Sequence, residues 1–402
     1  MKILVVCQHF YPEQFRINDI CYELVKRGHS VTVLTGLPNY PTGKVSNEYR
    51  FFKNRKQTIN GVKIIRTFLI GRGQSIIKMA INYMSFAISA SIKALLMHKR
   101  FDIVYVYQLS PITMVWPAIV VKNFGKIPLI IHCLDQWPES ITTGGISRKS
   151  IVYKILLRWS RKTYNAADLI TISSKSFKNY FENVLQINSN EKGLIYCPSY
   201  AESNYEKTEH IKNDYFDIVF AGNIGPAQSV ETIIEAANIL KDKSKILFHI
   251  VGDGLNKKNC ESMAKKYNLS NIKFYGFHDI EEMKKYYDLA DAFIITMVNN
   301  DVVNSTLPAK LQSYMAAGKP IVGAISGEVK NVIEESKCGL CCESLDYVSL
   351  SKIILKMFND KNMIQQWSNN SLIYYKKHFE KDIHISNLEN IMYNLIKKSE
   401  KK

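Results

Sequence analysis

The sequence predicts an α/β protein of two Rossmann-like parallel-sheet domains facing each other across a cleft. Short β-rich apolar runs alternate with helical periodicity from end to end, and the pattern restarts after a polar stretch at 201–214. The runs are almost continuously apolar, as strands covered on both faces are. The chain is 402 residues long, which fits two domains of about 200 residues each.

In the first half the strands are expected near 2–7, 30–35, 62–68, 103–107, 129–133, 169–173 and 193–196. The first helix, at 16–27, puts Ile17, Ile20, Cys21, Leu24 and Val25 on one face and stops at Gly28. In the second half strands are expected near 217–221, 246–251, 272–275, 292–296 and 320–323, with helices at 229–241, 257–267, 281–289 and 307–317. The expected division is 1–200, 208–380 and a C-terminal helix over 381–402, with 201–214 as the linker. In open parallel sheets ligands sit at the carboxyl ends of strands, so the loops there are where chemistry belongs.

The opening Met1-Lys2-Ile3-Leu4-Val5-Val6 has too short an apolar run for a secretory signal, whose core is roughly 7–15 residues, and reads as a buried strand. Residues 79–92 carry no charge on a helical pattern, but spanning a bilayer takes about 20 apolar residues. That helix either lies on a membrane or covers a sheet. The eight cysteines are scattered through apolar segments, and Cys338-Gly-Leu-Cys341 is a lone pair without a nearby His. They read as small buried hydrophobes of a reducing cytosol.

Charge divides the chain more sharply than hydropathy does. The formal balance is +17, from 53 Lys and Arg against 36 Asp and Glu. Residues 1–200 hold 27 basic and 10 acidic side chains, whereas 201–402 hold 26 of each. The whole excess lies in the first half, which predicts an anionic partner there.

The most informative run is Thr306-Leu-Pro-Ala-Lys310-Leu-Gln-Ser313-Tyr-Met-Ala-Ala-Gly318-Lys-Pro320. It reads as a loop feeding a helix, a glycine stop, and a proline entering a buried strand. Lys310 in a first turn opposes the helix dipole, which suggests an anion bound there. Three further segments stand in order before it: Phe220-Ala-Gly222-Asn223-Ile-Gly225-Pro-Ala-Gln228, Ile250-Val-Gly252-Asp253-Gly254, and Lys273-Phe-Tyr-Gly276-Phe277.

Together these segments resemble the GT-B glycosyltransferases of family 4, a retaining family. The likeness covers nearly the whole chain, and it is similar to the bacterial capsule and O-antigen subgroup that includes fucosamine transferases. It implies a phosphate loop at Gly222, Asn223 and Gln228, a second glycine loop at Gly252, Asp253 and Gly254, and a base-cradling exit at Phe277. Ser305 and Ser313 stand where the family commonly has an acidic pair, with Thr306 beside the first. Lys310 then supplies a cation for the pyrophosphate. The chain also departs from the family in lacking a glycine pair after the first strand.

On the acceptor side the resemblance points to the loop after the strand at 129–133, which carries Asp135, Gln136, Trp137 and Glu139. Asp135 is expected to position the acceptor or handle its proton, with Glu139 second. His132 reads as a core histidine. His9, Arg16 and Asn18, after the first strand, either enter the cleft or scaffold the loop. Pro38-Asn39-Tyr40-Pro41 is an acceptor loop or a rigid turn.

The expected function is transfer of a sugar from a nucleotide diphosphate sugar, UDP first, to a polyprenyl-diphosphate-linked glycan. An amino or deoxyamino hexose is the expected sugar class, and cell-surface polysaccharide the destination. No metal or other cofactor is expected, since no Asp-x-Asp appears. The protein is expected to be cytoplasmic, peripheral on the anionic inner face of the membrane. Alternatives are a sugar-nucleotide 2-epimerase of the same fold and a degenerate, non-catalytic homologue. A nucleic-acid partner is disfavoured, because no binding motif with interleaved aromatics accompanies the charge.

Overall fold

A computed structural model describes all residues but 74, 189–191, 203–204, 206–210, 212 and 402. The chain divides into two compact units, Met1–Cys197 with Ile385–Lys402, and Pro198–His384. The expected linker at 201–214 and the expected domain start at 208 fall largely or wholly outside the described residues.

The first unit holds strands β1 (Lys2–Val6), β2 (Ser30–Thr35), β3 (Lys56–Ile59), β4 (Val62–Arg66), β5 (Ile103–Gln108), β6 (Leu129–Cys133), β7 (Leu169–Ile172) and β8 (Leu194–Tyr196). They form one sheet in the order β3-β4-β2-β1-β5-β6-β7-β8. Every pairing is parallel except β3 with β4. The order reverses between β1 and β5, so the crevice at the carboxyl ends of those strands is this sheet's switch point. The helix Arg16–Lys26 buries Ile17, Ile20, Cys21 and Leu24, the face its periodicity predicts.

The second unit holds β9 (Phe216–Ala221), β10 (Ile246–Val251), β11 (Ile272–Gly276), β12 (Ala292–Thr296), β13 (Ile321–Ala324) and β14 (Gly339–Cys342). Their order is β11-β10-β9-β12-β13-β14, all parallel. Alternate residues of one strand enter different cores. Val219, Val251, Phe293 and Ile295 pack on one side, whereas Ile218, Phe220, Ile250 and Ile294 pack on the other. That division is what a sheet covered on both faces requires. The switch point lies between β9 and β12. Helices Val230–Ile239, Lys257–Lys266, Ile280–Leu289 and Ala309–Ala316 follow within a few residues of their expected limits.

Two strands, β3 and β14, lie outside the expected ranges. The first is polar and at an edge, joined to β4 by Asn60-Gly61 with φ of 47° and 78°, the left-handed pair a tight hairpin needs. The second contains Cys341 and Cys342 and closes the other sheet's edge; all eight cysteines are free.

The last helix, Lys381–Glu400, was expected as a segment of its own. From Ile385 onward it packs with the first unit. Arg27 Nη1 donates to Glu389 Oε2 at 2.7 Å, and His29 Nε2 lies 2.6 Å from Glu389 Oε1.

Candidate active site

Three strand exits of the second unit are stapled together by backbone hydrogen bonds. Gly222 N donates to Val251 O at 2.9 Å, Gly252 N to Gly276 O at 2.8 Å, and Ile224 N to Asp253 O at 2.8 Å. The approach is close enough that a Cβ on Gly252, where φ is +142°, would fall 1.8 Å from Gly222 O. Only glycine fits there. Gln228 Oε1 accepts from Gly225 N at 3.2 Å and from Asn223 Nδ2 at 3.3 Å, closing the first loop on itself. Asp253 Oδ1 accepts from Gly254 N at 2.7 Å, and its other oxygen lies 3.6 Å from Lys257 Nζ. These amides all donate within the protein, so what the three loops present together is closely packed glycine backbone.

Lys310 reaches this surface from the first turn of the helix Ala309–Ala316, whose start has no side-chain cap. Tyr314, one turn on, fixes that helix to the end of β9, donating to Ala221 O at 2.9 Å and accepting from Ala221 N at 2.7 Å. Lys310 Nζ then sits 4.0 Å from the centroid of Phe220 and 3.0 Å from where a Cβ on Gly222 would stand. The Nζ is buried and has no hydrogen-bond partner among the described residues. Burial pushes its pKa down to about 7. A buried ammonium without a counter-charge is costly, and here it lies against the backbone of Gly222.

The other expected donor residues divide. Phe277 stands 70% exposed just past β11, free to stack on a flat ligand. Ser305 and Thr306 turn inward, their hydroxyls donating to Val302 O and Val303 O at 2.8 Å. Ser313 is buried and donates to Glu202 Oε2 at 3.1 Å. A carboxylate therefore stands beside Ser313 although the helix itself has none at that position. Sequence spacing could not reveal Glu202, because it lies 111 residues from its partner.

At the carboxyl edge of the first sheet, Asp135 follows β6 and accepts from Ser110, which follows β5. Ser110 accepts in turn from Trp137 Nε1 at 2.8 Å. Burial pushes the Asp135 carboxyl above its usual range, while hydrogen bonds from Ser110 and Trp137 hold it back. Such a carboxyl is suited to proton traffic. Trp137 is buried, so it holds the loop and offers no open ring face.

Glu139 corrects the expectation of a second proton-handling carboxylate. It is 3% exposed, with Oε2 taking Arg148 Nε and Nη2 at 2.9 and 2.6 Å and Oε1 taking the Tyr153 hydroxyl. Both oxygens are occupied, which makes it an anchor between this loop and the helix Ile151–Asn165. His132 is a core residue, 2.8 Å from Thr171 Oγ1.

After β1 the loop is built around Glu13, which no sequence motif marks out. Its Oε1 accepts from Asn39 N at 2.7 Å and Tyr40 N at 2.6 Å, and its Oε2 lies 2.9 Å from His9 Nδ1. The His9 ring stacks on Phe15 at 5.2 Å and tilts against Tyr40 at 5.8 Å. Asn18 scaffolds the same loop, donating from Nδ2 to Glu13 O at 2.7 Å. Arg16 opens the helix behind it and acts electrostatically on buried Tyr107. The Asn39-Tyr40 segment is a turn held by Glu13.

Comparison with known proteins gives both halves a family. Residues 15–198 match the model "Glycosyltransferase Family 4", and residues 202–372 match "Glycosyl transferases group 1". The glycosyl transferase WcaI of Escherichia coli (strain K12), named for colanic acid biosynthesis, is 23% identical over 340 residues, 79% of this chain and 82% of that protein. The glycosyltransferase WbjE of Pseudomonas aeruginosa is 23% identical over 59% of this chain and 63% of its own. Among solved structures, sucrose-phosphate synthase of Thermosynechococcus elongatus superposes with a TM-score of 0.77 at 13% identity, covering 99% of each chain. Anabaena HepE in complex with UDP gives 0.73 at 14% identity, covering 98% of this chain and 100% of its own.

Proposed function

Since the chain belongs to the GT-B glycosyltransferases, with a family 4 half and a group 1 half, we propose that it transfers a sugar from a UDP-sugar to a polyprenyl-diphosphate-linked glycan, with retention and without a metal. The observation that carries this reading is Lys310 Nζ, buried and unpartnered beside Gly222. As the glycosidic bond breaks, negative charge grows on the leaving diphosphate. A preorganised cation stabilises that charge with little rearrangement. HepE was solved with UDP, which supports UDP as the nucleotide, with Phe277 placed against the base. Asp135 positions the acceptor, and Arg16 lies on the same side of the first sheet.

The lipid end of the reading rests on the helix Ile76–Leu95. It buries Asn82, Phe86, Ala87, Ala90 and Ala94, and exposes Ile77, Ile81, Ile88, Ile92 and Leu95 on the opposite side. No helix among the described residues is long and apolar enough to cross a membrane. An apolar face this long, with Lys78 flanking it and Lys99 and Arg100 just beyond the helix end, fits the boundary of an anionic leaflet. The protein then works at the cytoplasmic face, in capsule or O-antigen assembly, where a lipid-linked acceptor is held.

The test is a panel of sugar nucleotides, amino and deoxyamino hexoses included, assayed with EDTA for released UDP or GDP. Product anomers are then read by NMR. UDP release and a retained anomer are expected. GDP release, inversion, or activity that EDTA abolishes and magnesium restores contradicts the corresponding part.

A further inference from the structure

The loop that leads into β3 holds two phenylalanines out of the protein. Phe51 and Phe52 are 89% and 85% exposed. Their φ angles are 50° and 66°, and that of Asn54 is 52°. A left-handed backbone crowds the side chain of any residue but glycine, and a bulky ring there is an outlier. Such a conformation persists where the surroundings impose it. Here they do. Arg66, 4% exposed at the end of β4, donates from Nη1 to Asn54 O at 3.1 Å and to Gln57 Oε1 at 2.7 Å, and from Nη2 to Tyr11 O at 2.6 Å. Its guanidinium lies 4.8 Å from the centre of the Tyr49 ring. Asn54 Nδ2 donates to Glu48 O at 2.9 Å, Lys53 N to Arg50 O at 3.0 Å, and Arg50 Nε to Val45 O at 3.0 Å. A buried scaffold thus fixes a strained loop, and the rings at its tip are left bare.

Charge says what could cover them. From Tyr49 to Phe101 the sequence holds eleven Lys and Arg and no Asp or Glu. Four of these cations, Arg50, Lys53, Arg55 and Lys56, surround the two rings in sequence, and among the described residues none of the four pairs with a carboxylate. An acidic soluble partner would meet the cations and leave the rings in water. A leaflet of acidic phospholipid meets both, with phosphates at its surface and hydrocarbon beneath. The loop also lies near the helix Ile76–Leu95. Gly73 N, just before that helix, donates to Gly43 O at 3.2 Å, and the eight residues from Gly43 to Phe51 span at most about 30 Å.

We propose that Phe51 and Phe52 form a wedge that inserts into an anionic leaflet, as a second anchor beside the helix Ile76–Leu95. The inference rests on the membrane part of the reading above and adds a separate element to it. One weak anchor binds reversibly; two on the same body bind far longer and fix which way that body faces the lipid.

The probes are vesicles of phosphatidylcholine with and without about 30% phosphatidylglycerol, mixed with the full chain. Phe51→Ser with Phe52→Ser should lower affinity for the anionic vesicles, read by sedimentation, at least about tenfold. Phe51→Gly with Phe52→Gly should lose the same affinity yet melt no lower than the wild type, since glycine takes the left-handed backbone freely. In Phe52→Trp, brominated acyl chains should quench the added indole beyond any quenching of the wild-type tryptophans. Wild-type affinity in the folded serine pair overturns the proposal, as does an unquenched indole on vesicle-bound protein. A glycine pair that melts below the wild type overturns it too, because the rings would then be packing the loop. A wild type that binds no anionic vesicle removes the membrane reading itself, and the wedge falls with it.

Discussion

Replacing Lys310 by methionine should make the protein more stable and less able to hold nucleotide. The methionine keeps an apolar stem of similar length against Phe220 and discards the buried ammonium. Burial lowers the lysine pKa from 10.5 to about 7, so between those values the unfolded chain binds more protons than the folded one. Stability must therefore rise with pH across that window. The penalty is fully present below pH 7 and disappears above about pH 10.5. At pH 7 the shift corresponds to about 4 kcal/mol. The contact of Nζ with the Phe220 ring, at 4.0 Å, returns about 1–2 kcal/mol. The net gain for Lys310→Met is then about 2–3 kcal/mol at pH 7, and it should vanish near pH 10.5. Urea unfolding at pH 7 and pH 10, with and without UDP, measures it. UDP should stabilise the wild type, and its effect should largely disappear in the variant. A variant less stable than wild type at pH 7, or one equally stabilised by UDP, would refute this account of Lys310.

Phe277→Ala should weaken UDP binding by about 1–3 kcal/mol without changing the melting temperature, since the ring is exposed and stacks only when a base is present; calorimetry with UDP checks this. Glu139→Ala should cost about 2 kcal/mol of stability, because it leaves the Tyr153 hydroxyl unsatisfied, while UDP affinity in the same titration stays put. The full chain should sediment with vesicles containing anionic lipid and be released by salt. Charges at Ile77, Ile88 and Ile92 should abolish that binding, and equal binding to neutral vesicles would contradict the charge argument.

The sheets were legible because their strands are buried on both faces and so read as unbroken apolar runs. Edge strands escape that logic. Lys56–Ile59 is polar at three of its four positions, and Asn60-Gly61 was the signal that would have found it. Gly339–Cys342 drew notice only for its cysteines. The glycine loops of the second unit were legible because backbone needs glycine where chains approach within hydrogen-bond distance, as Gly252 does beside Gly222. Lys310 stood out because it offends the helix dipole. What could not be read was the partner of each polar group. Glu139 looks like a catalytic carboxylate until Arg148 and Tyr153 are seen to occupy it. Glu13 looked like loop until Asn39, Tyr40 and His9 converged on it. The place of the final helix depends on Glu389 meeting Arg27 and His29 some 360 residues away, a contact that no local pattern announces.

The central claim is sugar transfer to a membrane-held acceptor. The most direct measurement uses purified full-length protein, a radiolabelled UDP-sugar identified in the donor panel, EDTA, and polyprenyl-linked lipid extracted from cells that make this protein. The account predicts label entering the organic phase in proportion to released UDP, and none with Lys310→Met. UDP release accompanied only by free labelled sugar, or label that enters a water-soluble acceptor equally well, would contradict it.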